Sequence, residues 1–129
     1  MKYYHEKKLK NLSFDTAIEK TIATLKAEGF GIISEIDITS IMKQKLNIDF
    51  HNYKILGACS PDFAYKALQA EDKIGTLLPC NVIVQEKESG MVEVAAIDPM
   101  ASMQSVINMK ILNVAEDVSH KLEKAINSL

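Results

Sequence analysis

The sequence predicts a single α/β (α+β) domain, a two-layer sandwich in which helices pack on a mixed five-stranded sheet. Three observations predict it. Apolar periodicity switches between helical and strand spacing along the chain in the order β-α-β-α-β-α-β-β-α, with short connections and no linker. Helix starts and stops are written in local chemistry, with Ser or Thr caps, one proline at a first position and glycine exits. The size also fits one core: 129 residues and 14.3 kDa, 47% apolar and 25% charged. Mass scaling gives roughly 6,800 Å² of accessible surface folded against about 20,700 Å² unfolded, too small a difference for two sizeable domains.

Residues 2–10 have mixed polarity and suit an edge strand. The cluster Lys2, Lys7, Lys8 and Lys10 there reads as a solvated edge, where lysine discourages sheet-to-sheet pairing. Ser13 then caps a helix, Asp15 sits at its positive end, and Phe14, Ile18, Ile22 and Leu25 form one apolar stripe up to the exit at Gly29. Residues 30–36 form an Ile-rich strand. Thr39 or Ser40 caps a short helix with Ile41, Met42 and Leu46 inward. Residues 53–59 are apolar on both alternations, as expected of a strand buried on both sides or used at a subunit contact. Ser60-Pro61-Asp62 opens a helix over 60–71 that buries Ala64, Ala67 and Leu68. A strand over 77–85, a turn at Glu88-Ser89-Gly90 and a returning strand over 91–97 make a hairpin, which Asp98-Pro99 stops. From Ser102 onward, Ile107, Ile111, Val114, Val118, Leu122 and Ile126 keep helical spacing to the end.

Charge excludes some functions. With 15 Lys+Arg against 17 Asp+Glu, the chain lacks the basic patch that phosphate neutralisation needs, so no nucleic-acid partner is expected. No apolar run approaches the ~20 residues of a membrane span. The N-terminus has no signal-like hydrophobic region, so a cytoplasmic location is expected, where two cysteines are more often thiols than a disulfide.

The candidate site residues are Cys59, Cys80, Asn81 and Asp98. Cys59 stands just before a helix N-terminus, where free N–H groups and the dipole favour a thiolate, so it is the candidate nucleophile; its alternative role is a small buried apolar residue. Cys80 shares a strand face with Val82 and Val84. Asn81, within an apolar strand, requires a partner for its amide or lines a cavity. Asp98 ends a strand, as both active-site acids and turn starters do. If the strands carrying Cys59 and Cys80 are parallel neighbours, the sulfurs lie roughly 20 Å apart; if antiparallel, they face each other. Both arrangements are open at this level. Soft-metal binding through Cys59 and Cys80 is a further alternative, and His5, His51, His120, Met91, Met100, Met103 and Met109 add donor types. However, no CxxC, HxxxH or HExxH spacing occurs. No serine-hydrolase, dinucleotide or phosphate-loop motif occurs either, so no catalytic residue and no cofactor are assigned, and the balance is against an enzyme.

The blocks Tyr53-Lys54-Ile55-Leu56-Gly57-Ala58-Cys59-Ser60-Pro61 and Leu77-Leu78-Pro79-Cys80-Asn81-Val82-Ile83-Val84 resemble domain-of-unknown-function family 302. Ala95-Ala96-Ile97-Asp98-Pro99-Met100 and the acidic turn at Glu35-Ile36-Asp37 continue the likeness along nearly the whole chain. The resemblance implies a compact α/β domain, a homodimer, in small bacterial or archaeal proteins. It implies no activity. Family members carry Asn between the cysteine and the proline where this chain has Ser60, and either residue can cap a helix. The expectation is therefore a homodimeric module binding a small molecule. The alternatives are a thiol-dependent redox protein or enzyme using Cys59, and a soft-metal (Cu or Zn) protein.

Overall fold

The computed structural model describes residues 2–129. Five strands, β1 (Tyr4–Lys10), β2 (Gly31–Asp37), β3 (Asn52–Cys59), β4 (Cys80–Glu88) and β5 (Met91–Ile97), form one sheet in the order β1-β5-β4-β3-β2. The helices are α1 (Phe14–Ala27), α2 (Ile38–Leu46), α3 (Pro61–Ala70), the one-turn α4 (Pro99–Ser102) and α5 (Met109–Asn127), with a 3-10 turn over Asp72–Leu77.

The layers are as expected, and the sheet differs in one respect. All four pairings are antiparallel, so it is not mixed. The length of the segment between β3 and β4 suited a parallel crossover. Instead α3 packs against α5, and the 3-10 turn returns the chain to the end of β3 that it left, with Ala58 opposite Cys80.

Strand alternation decides the core. Leu56, Ala58, Cys80, Val82, Val84, Val92, Val94 and Ala96 all fall on one face, buried with Leu25 of α1 and Val118, Leu122, Ala125 and Ile126 of α5. On the other face Ile36, Ile55, Ile83 and Ala95 stand in one cross-strand row, partly or largely exposed.

Local chemistry explains the ends. Ser13 caps α1 by accepting the Thr16 N–H at 3.1 Å, and Gly29 takes a φ of +89° after the helix, which a side chain would oppose. Asp37 rather than Thr39 or Ser40 caps α2, accepting the Ser40 N–H at 3.0 Å. Thr39 is committed elsewhere: it donates to the His51 carbonyl at 2.7 Å and accepts the Tyr53 N–H at 2.9 Å. Of the α2 residues expected inward, Ile41 and Leu46 are exposed and Met42 half-buried, because α2 leans on the rim of β3 rather than on the core. Leu68 is likewise exposed.

Residues 77–79 precede β4 instead of opening it, since Pro79 has no N–H for the ladder. The last helix is broken. Asn108 starts α5 afresh by accepting the Lys110 N–H at 3.0 Å while its amide donates to the Ala70 carbonyl at 2.9 Å. Ile107, counted in the helical stripe by spacing, lies outside α5 and is 100% exposed.

Candidate functional site

The antiparallel return of β4 brings the two cysteines together. Cys59 is the last residue of β3 and Cys80 the first of β4, and both line one cavity of about 340 Å³. Its walls are Phe63, Ala64, Ala67 and Leu68 from α3, Leu78 and Pro79 before β4, and Val114, Ala115 and Val118 from α5. Ile33, displaced outward at the irregularity between Ile32 and Ser34, stands at the rim and is 64% exposed. Among the described residues, Ser60, Cys59 and Cys80 are the only ones on the wall with polar side-chain atoms.

Burial pushes the Cys80 thiol up to about 11, and the charge of a neighbouring Cys59 thiolate adds to the rise. Cys80 is therefore a protonated, inert thiol at neutral pH, whereas Cys59 is only half-buried. Ser60 holds the cap position of α3, yet its side chain makes no capping hydrogen bond. Both residues border a space that can take an apolar guest.

The other two candidates lie elsewhere. Asn81 points to the opposite face, exposed beside Ile83 and Gln85, so its amide needs no buried partner. Asp98 caps α4 by accepting the Met100 N–H at 3.0 Å, and it also accepts the Ser119 hydroxyl at 2.8 Å. His5 Nε2 lies 3.2 Å from Ser119 Oγ, and His5 Nδ1 lies 3.4 Å from Glu123. With its proton given to Asp98, Ser119 has none to pass to His5, so this chain of groups is not wired as a nucleophilic serine. It clips β1 to α5. Its members are far apart in sequence, and no local signal joined His5 or Ser119 to Asp98.

The remaining donors do not gather at the cysteines. His51 bonds Gln85 at 2.9 Å and stacks on Phe50, and His120 is exposed beside Glu116. Among the described residues no group of three or more His, Cys, Asp or Glu side chains is placed to hold a metal ion. Among the described residues Met103 is the one methionine on the cavity wall. Sequence reasoning missed Phe63, Leu78 and Val118 as cavity residues. Each reads as ordinary core by spacing. No helix among the described residues is long and apolar enough to cross a membrane.

Comparison with known proteins agrees with this architecture. The profile of the family described as Domain of unknown function DUF302 matches residues 5–129. A crystal structure of an uncharacterized conserved DUF302 protein from Bacillus stearothermophilus superposes with a TM-score of 0.88 at 23% identity, covering 98% of this chain and 98% of that one. At that identity the likeness speaks for the fold. Among curated proteins none matches.

Proposed function

From a chain that belongs to the DUF302 family of domains of unknown function, and from the cavity beside its two cysteines, we propose a small-molecule-binding module for apolar guests. The carrying observation is the cavity itself, about 340 Å³ and walled almost wholly by aliphatic and aromatic side chains. Ligand sites run from about 300 to 1,000 Å³ with few polar groups, and an engineered apolar cavity of about 150 Å³ already holds benzene. This space suits a two-ring or medium-chain hydrocarbon group. The soft-metal reading has less support, because burial keeps Cys80 protonated and zinc wants four ligands.

Titration of labelled protein with octanol and with naphthalene, followed by NMR, tests the reading. Saturable shifts should centre on Phe63, Ala67, Cys80 and Val118 and vanish in Ala64→Phe, a substitution that fills the mouth and leaves the thermal midpoint intact. Shifts scattered over the surface, or none, would refute it.

The expected second copy of the chain is best supported by the open sheet face. Five strands at about 4.8 Å spacing and seven residues of about 3.4 Å rise give a flat footprint of roughly 500 Å² before side-chain relief, close to the ~600 Å² per partner of the smaller stable interfaces. The folded chain exposes 7734 Å², above the roughly 6,800 Å² that its mass predicts for a compact monomer. Sedimentation should give a dimer that Ile83→Glu, in the middle of the apolar row, converts to a monomer. A wild-type monomer at high concentration would overturn the assignment.

A further inference from the structure

We propose that the open face of the sheet carries a second site, a hollow that binds a single adenine nucleotide. The hollow has a volume of about 490 Å³ and lies on the face turned away from α1 and α5. That size falls within the range of small-molecule sites. Three of the chain's four tyrosines, Tyr3, Tyr4 and Tyr53, stand on its wall. Ala95, the smallest side chain in the row Ile36, Ile55, Ile83 and Ala95, also lines it and leaves room above the strands. Aromatic side chains on the open face of an antiparallel sheet are a surface on which nucleobases stack, because every base has a π-face.

Hydrogen bonding decides which amide reads the base. Gln85 is already engaged: its carbonyl oxygen lies 2.9 Å from His51 Nε2, and its NH2 group donates to Glu93 at 3.2 Å. Asn81 lines the same hollow, is exposed, and makes no side-chain hydrogen bond among the described residues. An asparagine amide presents a donor and an acceptor side by side, the pattern that pairs with N7 and N6 of adenine through two bonds at once.

Charge supplies the other end. Lys87 is paired with Glu93 at 3.6 Å, and Glu6 with Lys2 at 3.5 Å. Lys8 lines the hollow opposite Glu93 in the ladder, yet forms no ion pair among the described residues, which leaves its ammonium for a phosphate. Through the pairs Lys8–Glu93 and Glu93–Gln85, Lys8 lies two strands across and four residues along from Asn81. Strand spacing and rise then put their Cα atoms about 17 Å apart. Once both side chains reach inward, a free base is too short for that gap, whereas a base joined to its sugar and phosphate spans it. A net charge of -2 offers little to a polyanion, so the fit is to one nucleotide rather than a strand. Binding stands without the second-copy reading. That reading puts the partner over this hollow, so nucleotide and partner exclude each other, and this consequence alone rests on it.

Titration of dilute labelled full-length protein with AMP and with adenosine, followed by NMR, tests the site. Saturable shifts should centre on Tyr4, Lys8, Asn81 and Ala95 and spare Ala67 and Val118 of the apolar cavity. Asn81→Ala should weaken AMP binding about tenfold. Lys8→Gln should lower AMP to the affinity of adenosine and leave adenosine itself unchanged. No saturable shift with AMP, shifts centred elsewhere, or binding indifferent to both substitutions overturns the proposal. An adenine oligoribonucleotide that binds more tightly per base than AMP overturns the single-nucleotide assignment. In sedimentation, AMP should convert the wild-type dimer to monomer. A dimer that keeps AMP bound overturns the exclusion. A wild type that is monomeric throughout yet binds AMP refutes the second-copy reading and leaves the nucleotide site standing.

Discussion

Gly57 of β3 faces Ser34 of β2 so closely that a Cβ on Gly57 would lie 2.2 Å from Ser34 Oγ. The same Cβ would meet Pro79 Cγ at 2.9 Å. The serine hydroxyl can rotate away, but the proline ring cannot. Gly57→Ala should therefore cost about 1–3 kcal/mol, as overpacking of a close-set site does. Adding Ser34→Ala should recover only part of the loss, read from urea midpoints. Full recovery would mean that the proline contact relaxes freely.

Cys80 makes stability pH-dependent in the alkaline range. Its folded-state value is raised, so both folded and unfolded thiols keep their protons below pH 9 and the stability is fully present there. Between 9 and about 11 the unfolded thiol ionises while the folded one does not, and the fold loses about 2–3 kcal/mol. The decline should be steeper in wild type than in Cys80→Ala, which keeps the lysines and tyrosines that also titrate. Parallel curves for the two proteins would contradict the burial of this thiol.

Asp98 serves two elements with one oxygen, the cap of α4 and the Ser119 hydroxyl on α5. Asp98→Ala should cost about 1–3 kcal/mol, and Ser119→Ala about 0.5–1.5 kcal/mol. Because the partners touch, the double variant should cost less than the two single changes together. Additive costs in a double-mutant cycle would show that the contact contributes nothing of its own.

Ile107 and Ile111 are four residues apart and look alike by spacing, yet one is fully exposed and the other fully buried. Ile111→Ala should destabilise by about 2–5 kcal/mol, while Ile107→Ser should stay within about 0.5 kcal/mol of wild type. Thermal or urea denaturation distinguishes them directly. Comparable losses at both positions would place Ile107 in a contact that the isolated chain does not make.

Helix starts were legible where local chemistry marks them, as at Ser13, whose side chain caps its own helix, and at Pro61, whose fixed φ suits a first helical position. The choice of Asp37 over Thr39 was not, because Thr39 is taken by the distant His51 carbonyl and Tyr53 N–H. Cys59 and Cys80 were legible as candidates by residue type and position. Their sharing one cavity was not, since strand direction depends on where α3 docks, against α5, a contact between segments far apart in sequence. Asn81 shows the complementary case: its strand was recognisable, but which alternation faces water rests on where the helices pack.

The sequence by itself determined the order of the five strands and the four longer helices, since caps, prolines, glycines and apolar periodicity act over a few residues. Only the tertiary structure decided that β4 returns beside β3 in the opposite direction, that Cys59 and Cys80 border one apolar space, and that Asp98 belongs to a different cluster. Those outcomes depend on which surfaces are buried together, and burial is a property of the packed layers rather than of any local stretch of chain.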